Sequence, residues 1–187
     1  MFIIHNKKNK GGIKTMNEVL NAILTRRSVR AFAEKQISID MLNDILKAAL
    51  YAPSGMNQQT WKFTAVCNRE KIQKLANAVG KELNRENYNF YNPAVLILPS
   101  NERESIWGKE DNACALQNIF LAAHSFGIGS VWINQLQNIC DRPAIRSILD
   151  EFEIPKQHVI YGAAALGYPA EQPKTEIQKI GKIHMIE

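Results

Sequence analysis

Residues 52–63 read APSGMNQQTWKF and join two segments of different periodicity. Before them, from Ser38 or Asp40, apolar residues recur at helical spacing, and Pro53 forces that helix to end. After them, Trp61–Cys67 alternates and is rich in β-forming residues, which predicts a strand. The stretch between is an irregular polar loop, because it combines Pro and Gly with Ser, Asn and Gln. A helix, a loop and a strand in succession indicate a protein that mixes α and β structure.

The rest of the chain continues this alternation in both directions. The first predicted helix begins at the capping-box pair Thr15 and Glu18. Three further helices are predicted at Glu70–Leu83, Asp111–Phe126 and Pro143–Glu151. Strands are predicted at Ala94–Leu98, Val131–Ile133, Val159–Leu166 and, as an edge strand, Lys182–Ile186. The continuous apolar run of Ala94–Leu98 indicates a strand covered on both faces. No repeat or linker interrupts these elements, so they are expected to form one domain.

The composition is that of a globular protein. Of 187 residues, 45% are hydrophobic and 22% are charged, so a core can form without disulfide or metal staples. This excludes a disordered tail, a collagen-like fibre and a disulfide-framework toxin, and no apolar run approaches the ~20 residues that cross a bilayer. Cys67, Cys114 and Cys140 form no CxxC pair, so we expect reduced thiols in a cytoplasmic protein and no metal site.

Residues 1–15 differ from the rest, and we expect them to be an N-terminal arm outside the domain of residues 16–187. The apolar run Met1–Ile4 is too short for a signal peptide, and basic residues follow it instead of preceding it. Two origins stay open. The arm is either a basic segment that docks on the fold, or a ribosome-binding site read as codons with Met16 as the natural start.

The net charge of +5, from 23 basic and 18 acidic residues, suggests an anionic partner. Nucleic acid, a phosphorylated small molecule and a membrane surface are each compatible with this excess. Five of the lysines lie in the arm or on an expected exposed loop: Lys7, Lys8, Lys10, Lys14 and Lys35. The remaining domain is closer to neutral and contains no known nucleic-acid-binding motif. We therefore expect neither nucleic acid nor a membrane as a partner.

The first candidate binding segment is RRSVR, residues 26–30, at the end of the first helix. Arginine can donate two parallel hydrogen bonds to phosphate oxygens, and the serine hydroxyl adds another donor. A solvated basic helix end that complements the helix dipole has the same pattern, and spacing alone favours that simpler explanation.

Two further segments are rich in turn-forming and polar residues. The loop of residues 52–59 can line a polar heterocycle, and it is equally consistent with an ordinary turn. Residues 127–135 read GIGSVWINQ, which is typical of a helix stop and a tight turn before a strand. They do not form a dinucleotide fingerprint, because that motif follows a strand and opens a helix.

No catalytic set of side chains is visible in the sequence. The four histidines have no recognisable acidic or seryl companions: His5, His124, His158 and His184. We expect each of them to be a packed or surface residue. The chemistry of an enzyme with this sequence is therefore expected to come from a cofactor.

Taken in order, RRSVR, APSGMNQQTWKF, GIGSVWI and the LGYP of residues 166–169 resemble the motifs of the FMN-dependent nitroreductase family. The resemblance covers about Leu24–Pro169, nearly the whole chain from Met16. It implies an α+β fold with a mixed, mostly antiparallel central sheet flanked by helices. It also implies a homodimer with two FMN sites at the interface, in which each C-terminal tail is swapped onto the partner.

The resemblance also implies which residues hold the cofactor. In one chain they are Arg26, Arg27 and Ser28 for the phosphate and ribityl chain, Arg30 beside N1 and O2 of the isoalloxazine, and a backbone amide at Asn134 or Gln135 facing N5. The other subunit would border the ring with Pro53, Ser54, Gly55, Met56 and Asn57. A tail lysine, Lys179 or Lys182, would close on the phosphate. A fixed cation near N1 would stabilise the negative charge of the reduced ring.

The chain departs from the family pattern at two places. Thr60 stands where the family often has Pro, so the loop is expected to be less fixed. Lysines stand where many members carry a tail arginine, so the phosphate contact there is expected to be weaker. Selection of the oxidising substrate is expected around Tyr88–Tyr91 and Trp107, which match no pattern.

The function that the resemblance implies is that of an FMN-dependent oxidoreductase. NADH or NADPH would give a hydride to flavin N5, and an electron-poor acceptor (a nitroaromatic, quinone or enone) would then take the electrons in a ping-pong order. The flavin carries the chemistry, so no catalytic side chain is expected. The alternative is a flavin-binding module without turnover, such as a redox sensor or carrier, or an enzyme of the same fold that consumes the flavin.

Overall fold

The computed structural model describes residues 17–173 and 178–187. Its helices are α1 Glu18–Thr25, α2 Ile39–Leu50, α3 Arg69–Glu82, α4 Gly108–Ser125 and α5 Pro143–Glu151. Its strands are β1 Trp61–Val66, β2 Val95–Glu102, β3 Gly129–Ile133, β4 His158–Val159 and β5 Ala163–Gly167. A short turn, Gly55–Asn57, lies between α2 and β1. The five predicted helices are confirmed, whereas the expected N-terminal arm lies outside the described residues.

The strands form one sheet in the order β1-β2-β5-β3, with β4 paired to the end of β2. The paired strands are all antiparallel, and an isolated parallel bridge joins Ser28 to Ser130 of β3. Helices cover both faces of this sheet. The mixed, mostly antiparallel arrangement confirms the predicted α+β class.

Strand β2 contributes to both hydrophobic cores, because its side chains alternate between the two faces of the sheet. Val95 and Ile97 belong to the core that includes residues of α2 and α4. Leu96 and Leu98 belong to the core that includes residues of α3 and α5. All four side chains are buried, so the prediction of a strand covered on both faces is confirmed.

The single strand predicted at Val159–Leu166 is wrong, because the chain breaks there into β4 and β5. Val159 pairs with Asn101 and Ala164 pairs with Ile97, so the chain beside β2 carries one extra residue between the two pairs. Such an insertion is a bulge. Pro99 lies in the facing stretch of β2 and has no N–H to donate, which explains an interruption at this point.

The edge strand predicted at Lys182–Ile186 is also wrong. Residues 178–187 have no regular secondary structure, and their apolar side chains are exposed. An alternating segment becomes a strand only where a sheet edge supplies hydrogen-bond partners. In the described part of this chain, no strand pairs with the tail.

Helix α1 begins at Asn17 and not at the predicted pair of Thr15 and Glu18. The Asn17 side-chain oxygen accepts hydrogen bonds from the N–H groups of Val19 and Leu20, at 3.0 and 3.2 Å, and Thr15 lies outside the described residues. The four apolar side chains of the predicted stripe are 48–64% exposed: Val19, Leu20, Ile23 and Leu24. Their contiguous exposure leaves an apolar surface without a partner in the described chain.

The described residues, 17–173 and 178–187, bear on two kinds of function, membrane insertion and metal binding. No helix there has the length and hydropathy needed to cross a membrane. No group of three His, Cys, Asp or Glu side chains there could hold a metal ion, and Cys67, Cys114 and Cys140 are free thiols.

The segment of residues 26–32 runs along the outer edge of β3. The Val29 N–H donates to the Ser130 carbonyl oxygen at 3.0 Å, and Phe32 forms a bridge to Pro169. Gly129 permits this close approach, because a Cβ at its position would lie 2.8 Å from the Val29 side chain. The glycine therefore fixes the first motif against the third.

Gly129→Ala should lower the free energy of unfolding by about 1–3 kcal/mol, because the added methyl group overpacks against Val29. Adding Val29→Ala removes the two crowded Cγ atoms and keeps Cβ, so it relieves the clash in part, and the double variant should lose less stability than the two single variants combined. Urea denaturation at one fixed protein concentration measures all three. Additive losses would show that the two residues do not press on each other.

Candidate functional site

A cavity of about 390 Å³, here called the arginine cavity, lies between the end of α1, the α4–β3 turn and residues 169–173. Its lining includes Arg26, Arg27, His124 and Ser130. A larger groove of about 990 Å³ lies between α3 and α5, but it contains none of the residues predicted to bind the cofactor. The arginine cavity is therefore the candidate functional site.

Arg26 is half-buried at this site. Its guanidinium carbon lies 5.7 Å from the centre of the Phe120 ring on α4, a distance at which a cation is attracted to an aromatic face. Burial and the neighbouring charge of Arg27 lower the pKa of Arg26. The ring supports the cation without neutralising it, so an anion in the cavity would be attracted.

Arg27 has a second role in the structure. Its Nη1 donates to the carbonyl oxygens of Leu24 and Arg26, both at 2.8 Å. Leu24 lies in the last turn of α1, where carbonyl groups lack partners within the helix. The simpler explanation of the basic segment, a cation that complements a helix end, therefore applies to Arg27, although this residue also lines the cavity.

His124, in the last turn of α4, faces the same cavity. The Thr25 hydroxyl donates its one proton to the Asn21 carbonyl oxygen at 2.7 Å. The imidazole Nε2–H must therefore be the donor in the 2.9 Å contact with Thr25 Oγ1. This leaves Nδ1 as the nitrogen that gains or loses a proton. Burial, followed by the charges of Arg26 and Arg27, lowers the pKa of His124.

Ser130 adds a hydroxyl to the cavity. The residue is 1% exposed, and its Oγ has no hydrogen-bond partner among the described residues. An unpaired buried hydroxyl is unfavourable unless a ligand or water pairs with it. Glu171, which is exposed, is the one carboxylate in the described lining. Guanidinium and hydroxyl donors, together with an imidazole that can take up a proton at Nδ1, suit an anion such as a phosphate.

The loop of residues 54–59 is held in a strained shape. Met56, Asn57 and Gln59 have φ values of 50°, 55° and 50°, a region that non-glycine residues rarely occupy. Within the loop, Ser54 Oγ accepts the Gln59 N–H at 3.2 Å, and Asn57 Oδ1 accepts from Gln59 Nε2 at 2.9 Å. From outside it, Oδ1 of Asp111 accepts the N–H of Gly55 at 2.8 Å.

The end of this loop is also fixed, contrary to the expectation from Thr60. The Thr60 hydroxyl donates to Oδ1 of the buried Asn101 at 2.6 Å. A hydrogen bond therefore anchors the position where the family often has a proline ring. The expectation of a less fixed loop is wrong for this residue.

The turn after β3 carries the third group of predicted residues. Trp132 Nε1–H donates to Asn134 Oδ1 at 3.3 Å, and the Asn134 N–H donates to Gln135 Oε1 at 3.1 Å. The rings of Trp132 and Phe120 lie 6.3 Å apart. Since Arg26 lies over Phe120, aromatic contacts connect the first motif to the third.

The structure brings the first and third motifs together and keeps the second apart. The arginine cavity lies beside His124 near the last turn of α4, whereas loop 54–59 is bonded to Asp111 in its first turn. At 1.5 Å per residue, these two positions are about 20 Å apart along the helix. Arg30, Pro53, Lys179 and Lys182 are exposed, and none lines the cavity.

The chain matches the sequence model of the nitroreductase family over residues 23–95 and 81–168. The chain belongs to this family. The crystal structure of a Bacteroides fragilis nitroreductase with bound FMN is 44% identical, has a TM-score of 0.86, and covers 92% of this chain and 100% of its own. An Archaeoglobus fulgidus protein, provisionally named NADH dehydrogenase/NAD(P)H nitroreductase, is 35% identical over 84% of this chain and 88% of its own. The Vibrio harveyi NADPH-flavin oxidoreductase is 26% identical over 86% of this chain and 70% of its own.

Sequence reasoning missed three residues of the site in this nitroreductase-family chain. Asp111 was assigned to a helix end and His124 to packing or the surface, and Ser130 was given no role. A usable signal existed for Asp111, which lies four residues before Ala115 on the buried face of an apolar helix. Of the places expected to select a substrate, Trp107 packs against Gly55, whereas Tyr88 lines the distant α3–α5 groove.

In the protein without ligand, His124 should titrate below its ordinary value of 6.5. Inorganic phosphate should raise the pKa of His124, because an anion offsets the charges of Arg26 and Arg27. Since the unfolded chain takes up the proton first, this histidine should make the fold less stable as the pH falls from 6.5 through its folded pKa. NMR titration of the imidazole C–H signals, assigned with His124→Gln, measures the shift. A phosphate-independent pKa would place His124 outside the anion's reach.

Proposed function

We propose that this chain is an FMN-dependent oxidoreductase that takes electrons from NADH or NADPH. The observation that carries the proposal is the donor set of the arginine cavity, which suits the terminal phosphate of FMN. The Bacteroides fragilis nitroreductase, at 44% identity, is a structure with bound FMN, and the Vibrio harveyi relative is an NADPH-flavin oxidoreductase.

The residues of the cavity fit a phosphate monoester. Burial and the charge of Arg27 lower the pKa of Arg26, and a doubly charged anion would offset both charges. The hydroxyl of Ser130 has no partner among the described residues and can donate to a phosphate oxygen. Ser28 is not among the residues that line the cavity, but its backbone is bridged to Ser130, which does line it. In this proposal Arg26, Arg27 and Ser28 hold the phosphate and ribityl chain.

Bound FMN supplies the two-electron chemistry, and the chain supplies binding and electrostatics. Arg30 would hold a positive charge beside N1 and O2 of the ring. The turn of Asn134 and Gln135 would offer a backbone amide to N5. Two hydrogen bonds tie Trp132, Asn134 and Gln135 together. Since one of them already takes the Asn134 N–H, that amide would face N5 only after the Gln135 side chain moves away.

The substrates in this proposal are a reduced nicotinamide and an electron-poor acceptor. A nitroaromatic, a quinone or an enone can each accept two electrons and protons. We propose a ping-pong order, in which the nicotinamide leaves before the acceptor enters the same site. Trp107, which is partly exposed and packs against Gly55 of the loop, would contact the acceptor.

We also propose that the complete site forms in a homodimer. In one chain, about 20 Å of α4 separates the arginine cavity from loop 54–59. A twofold axis across α4 would bring the first turn of one copy beside the last turn of the other. The partner would thus add Pro53, Ser54, Gly55, Met56 and Asn57 to the site.

The exposed apolar surfaces support the dimer. The stripe on α1 exposes large hydrophobic side chains, and so do the tail residues Ile180, Ile183 and Met185. Exposed apolar surface of this kind is typical of a subunit interface. In the proposal, each tail extends onto the other copy and places Lys179 or Lys182 near the phosphate.

Arg26→Ala should weaken FMN binding by about 10- to 100-fold, because it removes a charge-assisted contact to phosphate. Riboflavin, which lacks the phosphate, should bind the wild type and the variant alike. Lys35→Ala serves as the matched control, since this cation packs on Tyr168 outside the cavity, 4.0 Å from the ring centre. Quenching of flavin fluorescence measures each affinity. Equal losses for FMN and riboflavin would contradict a phosphate role for Arg26.

Anaerobic NADH or NADPH should bleach the flavin absorption band of the FMN-loaded protein, and an added quinone should restore it. Stopped-flow absorbance measures the two half-reactions separately, and each should proceed without the other substrate. Bound FMN that neither nicotinamide reduces would instead favour a redox sensor or carrier, or an enzyme that consumes the flavin.

A mixed dimer of one Arg26→Ala chain and one Asn57→Gly chain should bind one FMN tightly. If each site takes Arg26 from one chain and the loop from the other, one site in this dimer is intact and the second has both defects. Glycine at position 57 keeps the positive φ of Asn57 while removing its side chain. Two differently tagged chains, co-expressed and purified together, allow FMN to be counted per dimer. If neither site binds tightly, both segments act within one chain.

A further inference from the structure

We propose that Asp111 is a positioning residue for the FMN site, because its buried carboxylate holds loop 54–59 in the shape that borders the flavin ring. The inference rests on the proposed function, which assigns this loop to the ring. Asp111 itself need not touch the cofactor. It would act through the loop backbone.

The loop requires a restraint from outside its own residues. Met56, Asn57 and Gln59 all have positive φ values within four positions, and each such residue is unfavourable in a free chain. The hydrogen bonds within the loop, including that from the Gln58 N–H to the Gly55 carbonyl oxygen at 3.1 Å, join loop residues to one another. They shape the turn, but they do not fix its position on the protein.

Asp111 supplies such a restraint at the start of the loop. Its Oδ1 accepts the Gly55 N–H at 2.8 Å, and Asp111 is only 4% exposed. A hydrogen bond to a carboxylate is stronger than one between neutral groups. The carboxylate lies in the first turn of α4, where the helix dipole stabilises a negative charge. A buried charge can therefore be maintained at this point.

Gly55 is held from its other side by Trp107, the residue that precedes α4. The indole packs so closely on Gly55 that any Cβ there would overlap the ring. The Asp111 N–H donates to the Trp107 carbonyl oxygen at 2.9 Å, so the two residues that hold the loop are bonded to each other. Loop 54–59 thus moves only if the start of α4 moves.

The second carboxylate oxygen bears on whether Asp111 serves the stability of the fold or the position of the loop. Oδ2 of Asp111 is buried and has no hydrogen-bond partner among the described residues. A buried carboxylate oxygen without a partner is unfavourable for stability. The position of loop 54–59 is the feature that the other oxygen, through its contact with Gly55, fixes in return.

The test compares FMN binding and ring environment in folded variants. Asp111→Ala should weaken FMN binding at least tenfold and reduce the visible circular dichroism of the bound flavin. Asp111→Asn, which retains an oxygen acceptor for Gly55, should restore most of both signals. Asn112→Ala is the matched control, because Asn112 is 2% exposed and its Nδ2 also lacks a partner in the described chain, so no hydrogen bond from this nitrogen holds the loop.

The readouts distinguish this role from a structural one. A merely structural Asp111 would lower Tm in the alanine variant while leaving the FMN affinity and dichroism of the folded protein unchanged, and that result would overturn the inference. Thr60→Val, which releases the other end of the loop from Asn101, should produce a partial loss of the same dichroism and tests the idea even if Asp111→Ala does not fold. If Asp111→Ala does not fold, an unchanged dichroism in Thr60→Val would also overturn it. Wild-type protein that binds no FMN would instead contradict the proposed function.

Discussion

The length of α4 is the constraint on which the site depends. Its first turn holds loop 54–59 through Asp111, and its last turn lies beside the arginine cavity, about 20 Å away. A helix does not shorten, so in one chain a single ligand would have to span this distance to touch both polar segments. In the homodimer proposed above, a second copy would instead supply the loop. Motifs that are close in sequence would then serve different sites.

Much of the fold could be predicted because its signals are local. The bounds of α5 coincide with the predicted Pro143–Glu151, where a proline suits the first helical turn and apolar residues recur at helical spacing. The break between β4 and β5 could not be predicted in this way, because it arises from pairing with β2 across from Pro99. The tail failed as a strand for the same reason, since alternation indicates an extended segment but not the sheet edge it needs.

For the candidate site too, local signals could be predicted from the sequence and contacts between distant segments could not. Residue types identified RRSVR and the 52–59 loop as polar segments, and the structure places the first of them at a cavity. Geometry alone assigns the individual roles, since Arg27 turns back onto the end of α1 while Arg26 lies over Phe120. Asp111 and His124 were missed because their partners, Gly55 and Thr25, are distant in sequence. No pattern within one helix reveals such a contact.

Each end of α4 lies beside an unfavourable feature, which is the strained loop at the first turn and the adjacent charges of Arg26 and Arg27 at the last turn. The two features are stabilised in different ways. At the first turn, the strained loop is offset within the chain by Asp111 and Trp107. At the last turn, Arg26 has no carboxylate partner among the described residues and lies beside the charge of Arg27. The loop is therefore shaped before any ligand binds, whereas the cavity gains its full stabilisation only with an anion present. In the proposed FMN site, the phosphate end would gain stabilisation on binding, and the loop end would orient the flavin ring.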